Sequence, residues 1–175
     1  METRKLQMKE LGRKSVEEFK KAEKTPIILV LDNIRSLHNV GAVFRTADAF
    51  LLQGIYLCGM TGRPPHRDIR KTALGATETV QWHYFSKTAD AIRKLREEKY
   101  AVWAVEQVEN GISLSEFEEK RKQPLALIFG NEMHGVSDEA LQLADGCIEI
   151  PQIGMKHSLN ISVSVGIVVW EIFRR

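Results

Sequence analysis

The chain has 175 residues, 43% of them hydrophobic and 27% charged, which suits one globular domain with a sizeable core and excludes a disordered chain. A formal net charge of +2 is too small to point to nucleic acid, so any nucleic-acid footprint would have to come from where the cations sit. The two cysteines, Cys58 and Cys147, form no C-x-x-C pair, and no apolar run approaches the ~18 residues of a membrane span; a zinc ribbon, a disulfide framework and a membrane protein are excluded, and a cytoplasmic protein is expected.

Residues 1–24 read as a charge-rich helix, with Leu6, Leu11, Val16 and Phe19 set among Lys, Arg and Glu. It ends at Thr25-Pro26, because the residue before proline disfavours α geometry. The division expected is an N-terminal charged extension over 1–25 and a single domain over 26–175. The continuous apolar run Ile27 to Leu31 reads as a strand buried on both faces, as in a parallel sheet. Residues 40–52 have helical spacing, with His38 or Asn39 as candidate caps. Gly54 to Cys58 is a second strand. Residues 60–78, punctuated by Gly62, Pro64, Pro65 and Gly75, read as a long loop with a short helix, and Thr79 to Phe85 as a strand. Residues 87–99 are amphipathic and helical. Tyr100 to Val105 and Leu125 to Phe129 are strands, Ser137 caps a helix through Leu143, and Cys147 to Ile150 is a last strand. This alternation gives an α/β class with a mostly parallel sheet. The C-terminal segment is ambiguous: residues 160–165 alternate like a strand, while Leu159, Val163, Gly166, Ile167 and Trp170 fit a helical stripe.

Three glycine-marked stretches are candidates for chemistry. In residues 32–50 a polar loop enters a helix near Asn39, Gly41 permits close approach, and Arg45 lies on the first turns. A capped core helix with Arg45 paired to Asp48 accounts for the same residues, and this stretch alone favours it. In residues 127–137 two glycines bracket a polar turn at a strand end, where α/β proteins bind ligands; an ordinary loop with Glu132 solvated is equally open. In residues 149–163 Pro151 turns the chain, Gly154 allows a second bend, and Ser158 and Asn160 stand at a helix start. Capping accounts for one of them more readily than for both. There is no G-x-G-x-x-G after the first strand, no phosphate-binding G-x-x-x-x-G-K-[ST], and no metal spacing such as H-E-x-x-H among the five histidines, so no metal is expected. His134 and His157 sit in two of these stretches as weaker candidates for ligand contact. The cations of residues 4–24 are offset by acidic neighbours and read as a solvated face. Those of Arg63, Arg67, Arg70 and Lys71 are less diluted, as phosphate contacts require.

Taken together, N-V-G-A-V-F-R-T-A at 39–47, F-G-N-E-M-H-G at 129–135 and I-P-Q-I-G-M-K-H-S-L-N-I-S-V at 150–163 resemble, in this order, the three motifs of the SpoU/TrmH family of the SPOUT superfamily. The resemblance covers roughly residues 26–173. It implies an α/β fold with a mostly parallel sheet, helices on both faces and a C-terminal trefoil knot. It also implies a homodimer whose active site lies at the subunit interface, with Trp170 and other apolar residues of the last helix packed partly on the partner. The implied activity is transfer of a methyl group from S-adenosylmethionine to an RNA ribose 2′-hydroxyl. Carried over by position, Val105, Gly130, Ile150, Ile153, Ser158 and Leu159 would hold the cofactor. Asn39, Arg45, Glu132, Ser158 and Asn160 would be catalytic or substrate-positioning, and Arg63, Arg67, Arg70 and Lys71 would contact RNA. An arginine hardly loses its proton in a protein, so a grip on the neighbouring phosphate and on the developing alkoxide is as good a role for Arg45 as that of base.

The chain departs from the pattern in places. Val105 stands where relatives place threonine, and Gln152 follows Pro151 where many have methionine. With residues 105–107 and 170–171, this is closer to eukaryotic tRNA guanosine 2′-O-methyltransferases. That favours tRNA, with ribosomal RNA as the second target. A non-catalytic RNA-binding module on the same fold competes with the enzyme reading, and methylation of a base competes with methylation of a ribose. Only ~25 residues precede the first strand, fewer than a further RNA-binding domain needs.

Overall fold

The computed structural model describes residues 3–117, 123–155 and 158–174. Strands β1 (Thr25–Asp32), β2 (Leu52–Cys58), β3 (Trp82–Phe85), β4 (Ala101–Val105), β5 (Ile112–Ser113), β6 (Leu125–Phe129) and β7 (Gly146–Glu149) form one sheet in the order β3-β2-β1-β6-β4-β7-β5. Every pairing between them is parallel. The helices are α1 (Val16–Lys21), α2 (Leu37–Ala49), α3 (Arg67–Ala73), α4 (Ala76–Thr79), α5 (Thr88–Glu97), α6 (Asp138–Leu143) and α7 (Ile161–Phe173). Among the described residues no helix is long and apolar enough to cross a membrane.

The two central strands show why the sheet is covered on both sides. Side chains alternate across a strand. Ile27, Leu29 and Leu31 of β1 and Leu125, Leu127 and Phe129 of β6 pack in one cluster with α2, α3, α4 and α7. The intervening Ile28, Val30, Ala126 and Ile128 pack in a second cluster with α5 and α6. Each large aliphatic side chain buried this way contributes about 1.5–3 kcal/mol relative to an exposed one.

Several boundaries differ from the sequence reading, each for a local reason. Residues 1–24 are not one helix. A 3₁₀ turn at Met8–Leu11 ends on Gly12 at φ 57°, and α1 starts afresh from Ser15, whose hydroxyl accepts from the Glu18 N–H. The cap of α2 is Ser36, whose hydroxyl accepts from the Asn39 N–H at 3.3 Å, rather than His38 or Asn39. Thr79 closes α4 instead of opening a strand, because its hydroxyl is spent on the Ala76 carbonyl and the Asp48 carboxylate. The cationic stretch after β2 is largely helical: Arg67, Arg70 and Lys71 belong to α3, whose cap is the His66 ring nitrogen. The two-residue β5, Ile112–Ser113, is too short to show a period in the sequence. The last segment is the helix α7, but the stripe read from the sequence is its outer face. Ile161, Val165, Val168, Val169 and Ile172 are buried, whereas Val163, Ile167 and Trp170 are exposed.

Candidate active site

All the strands point the same way, so their carboxyl ends form one edge. A cavity of about 570 Å³ opens there over β4, β6 and β7, a size usual for small-molecule sites. Its apolar wall includes Val105, Phe129, Ile148, Ile150 and Leu159. Its charged groups are the carboxylates of Glu106, Glu132 and Asp138; no lysine or arginine is among the described residues that line it. Such a lining suits a ligand that is partly apolar and carries positive charge, and disfavours a polyphosphate.

The turn between β6 and α6 builds the cavity floor. Asn131 and Gly135 exchange backbone hydrogen bonds of 2.8 Å. A Cβ on Gly130 would fall on the Gly135 and Val136 backbone, and Gly135 adopts φ 68°, so both glycines are dictated by close approach or conformation. The Glu106 carboxylate at the end of β4 accepts from the Val136 N–H at 2.9 Å and closes the turn from the side. Buried Asn131 donates to the Asn33 carbonyl at 2.7 Å and accepts from the Met133 and His134 N–H groups.

Glu132 ties this turn to α2. Its carboxylate accepts from the backbone N–H groups of Arg35 (3.0 Å) and Ser36 (3.1 Å) and from the Asn39 side-chain amide (2.9 Å). Partial burial pushes this carboxyl up, but the hydrogen bonds from Arg35, its own N–H, Asn39 and Ser36 outweigh that and hold it below its ordinary value. The group is therefore ionised at neutral pH with its oxygens engaged, which suits an orienting role better than proton transfer. Asn39 in turn accepts from the Asn160 amide at 3.2 Å, and Asn160 caps α7 by accepting from Ser162. One hydrogen-bonded row, Glu132–Asn39–Asn160, thus joins all three glycine-marked stretches.

The residues singled out from the sequence divide as follows. Val105, Gly130, Glu132, Ile150, Ser158, Leu159 and Asn160 line the cavity, and Asn39 stands behind it in the row just described. Ile153 does not line it: its side chain is fully exposed, and the neighbouring Gln152 takes the place on the wall. Arg45 is exposed on α2, outside the cavity, and makes no hydrogen bond or ion pair with another described residue. The pairing with Asp48 does not occur; Asp48 takes the Thr79 hydroxyl instead. Arg63, Arg67, Arg70 and Lys71 lie beyond the cavity, around α3, where Arg67 and Lys71 share Asp68 (4.0 and 3.1 Å). His134 lines the cavity, and His157 lies outside the described residues. Among the described residues no group of three or more His, Cys, Asp and Glu is placed to hold a metal ion.

Three residues were missed. Asp32 is 1% exposed and accepts from the Ser137 N–H (2.8 Å), the Thr88 hydroxyl and the Asn33 amide, fixing the start of α6. A carboxylate that ends an otherwise apolar strand was the available signal for it, as was the strand-end position for Glu106. Asn131 offered none beyond its place in the turn.

The SpoU rRNA Methylase family model matches residues 26–170. The chain belongs to that family. Within it, the chain is 32% identical over 166 residues to the tRNA (guanosine(18)-2′-O)-methyltransferase of Thermus thermophilus, covering 95% of this chain and 84% of that one. It is 30% identical to the 23S rRNA (guanosine-2′-O-)-methyltransferase RlmB of Vibrio parahaemolyticus, covering 95% of this chain and 66% of the relative. The AdoMet-bound rRNA methyltransferase structure from Sinorhizobium meliloti superposes with a TM-score of 0.80 at 29% identity, over 87% of this chain and 57% of that one. The seven-stranded parallel sheet with its helices is the SpoU methylase architecture.

Proposed function

We propose that this chain transfers a methyl group from S-adenosylmethionine to the ribose 2′-hydroxyl of a guanosine in tRNA. The observation that carries this reading is the row Glu132–Asn39–Asn160, which fastens the three family stretches together at the cavity. The cavity's composition fits the cofactor. Its apolar wall and exposed backbone suit adenine and ribose, and its carboxylates, free of competing lysine or arginine among the described lining, suit a ligand with a sulfonium and an ammonium group. Gly130, Ile150 and Leu159 would hold the adenosine part by backbone atoms, with Val105 and Ser158 at its border. When bound, S-adenosylmethionine supplies an electrophilic methyl group on a sulfur that leaves as a thioether.

The chain's own contribution is alignment and charge. Glu132 keeps Asn39 and the start of α2 in place, and Asn160 sets the start of α7, so the wall and the accepting sugar meet in a fixed geometry. Arg45, with its planar fork of donors, grips the phosphate beside the target ribose and stabilises the oxygen as its proton passes to water. It stands outside the cavity of its own protomer with no partner among the described residues. The same reading therefore includes a homodimer in which α2 and α7 face a second copy. Supporting this, α7 presents Val163, Ile167, Trp170 and Phe173 to solvent, 38–54% exposed. The knotted C-terminal path, a cytoplasmic location, the division into an extension over 1–25 and a catalytic domain, and phosphate contacts by Arg63, Arg67, Arg70 and Lys71 belong to this reading too.

The test is direct. Total tRNA and ribosomal RNA from cells lacking the gene are incubated with the protein and labelled S-adenosylmethionine, and the nucleosides are identified by mass spectrometry. A 2′-O-methylated guanosine in tRNA is the expected product. A base-methylated nucleoside, or absence of both turnover and donor binding by calorimetry, would defeat the reading. Ribosomal RNA is the second candidate substrate, favoured by the similarity to the Vibrio relative.

A further inference from the structure

We infer that Arg63 and Tyr84 form a stacking platform for an unpaired RNA base, a proposal that rests on the RNA-methylation reading above. Tyr84 lies on the edge strand β3 and is 38% exposed. The guanidinium carbon of Arg63 sits 4.1 Å from the centre of its ring. The Tyr84 hydroxyl donates to the Gly59 carbonyl at 3.0 Å, and the Gly59 N–H donates to the Phe85 carbonyl at 3.0 Å. The ring is thus anchored at its far end, and the loop that carries Arg63 is fastened to the same strand.

Arg63 is exposed and has no carboxylate partner among the described residues, unlike Arg67 and Lys71, which share Asp68. One face of its guanidinium covers the ring, and its N–H donors make no hydrogen bond with another described residue. A surface pair of this kind contributes only about 0.5–1 kcal/mol to the fold. It does present the two things a nucleotide needs: a flat surface for a base and a planar fork of donors for a phosphate. In a duplex the bases are already stacked on each other, so the ligand that fits is a loop or single strand.

The location agrees. Because the sheet is parallel, the carboxyl end of β3 lies on the same edge as the cavity, three strand spacings from β6, or roughly 14 Å. The loops after the two intervening strands present exposed Arg35 and exposed Met60, and Arg35 reaches Met133 on the cavity wall. A strand of RNA with its ribose over the cavity would run along this edge and meet Tyr84 with a flanking base.

The test uses the full chain and fluorescence anisotropy with a labelled oligouridylate, against an RNA duplex of equal length, over a salt series. The wild type should prefer the single strand. Tyr84→Leu keeps apolar bulk without a π face, and should bind the single strand roughly five- to a hundred-fold more weakly with an unchanged salt slope. Tyr84→Phe should retain most of the affinity. Arg63→Gln should weaken binding and lower the salt slope by about 1. Calorimetry with S-adenosylmethionine should give wild-type affinity for all three, which also reports that they fold. A Tyr84→Leu variant that binds S-adenosylmethionine and oligouridylate like the wild type overturns the platform alone, as does equal weakening for duplex and single strand. A wild type that binds neither S-adenosylmethionine nor RNA overturns the underlying reading, and the platform with it.

Discussion

Substituting Glu132 by glutamine probes the junction on which the site depends. The carboxylate accepts three hydrogen bonds, from the Arg35 and Ser36 N–H groups and the Asn39 amide. A glutamine has one acceptor oxygen. Placed where Oε1 is, it keeps Ser36 and Asn39 but turns an NH₂ against the Arg35 N–H; flipped, it keeps Arg35 and loses the other two. At least one charge-assisted hydrogen bond therefore disappears, worth about 1.5–3 kcal/mol when well buried. Glu132 is largely exposed, so roughly 1–2 kcal/mol is expected after screening. For a chain of this size that is a fall in melting temperature of roughly 2–8 °C at neutral pH.

The sign with pH follows from the lowered pKa. The carboxyl lies below its ordinary 4.5 in the folded chain. Its contribution is therefore complete above that value and is lost as the pH falls through the folded-state value. The gap between wild type and Glu132→Gln should thus be widest at neutral pH and narrow through the acid range. Thermal melts at a series of pH values, with S-adenosylmethionine calorimetry at neutral pH, measure both. Melting temperatures within about 1 °C of each other, with no change in the gap on acidification, would refute the account of Glu132 as the clasp between the turn and α2.

Gly130→Ala places a methyl group on the Gly135 and Val136 backbone, so the turn must open; donor affinity should fall about tenfold or more, with roughly 1–3 kcal/mol of stability lost, by calorimetry and denaturant melts. Arg45→Lys keeps the charge and loses the planar fork, so turnover should drop about tenfold or more while donor affinity and melting temperature stay at wild-type values. Near-normal turnover would remove Arg45 from the chemistry. Trp170→Glu puts a charge on the exposed face of α7 and should yield a monomer in analytical ultracentrifugation, without turnover; a dimer that survives would place the subunit contact elsewhere.

Much of the fold was legible because its core strands are short apolar runs buried on both faces, such as Ile27 to Leu31, and few other arrangements accept such runs. The last helix was harder. Apolar residues lie nearly all round it, so periodicity marked Val163, Ile167 and Trp170 but had no means of telling the buried face from the solvent face. Thr79 reads as β-forming in isolation, whereas in the fold its hydroxyl meets the Ala76 carbonyl and a carboxylate on another helix, Asp48, at the end of a helical turn. At the site, the motif stretches were readable as glycine-marked loops at strand ends. The residues that fasten them were not: Asp32 acts on a backbone group 105 residues away, Asn131 on one 98 away and Glu106 on one 30 away. Ile153 is a motif position whose exposed side chain lies outside the cavity lining, which the motif alone does not reveal.

The span of the Glu132–Asn39–Asn160 row has a consequence for biogenesis. Asn39 meets Glu132 across 93 positions and Asn160 across 121. Contacts that distant close late and slowly, because chain entropy is lost before they repay it. On the methyltransferase reading proposed above, the nascent chain would have no complete donor pocket until α7 has emerged, and a half-folded copy would not compete for the methyl donor. The donor, binding only the finished state, then raises that state's population by mass action.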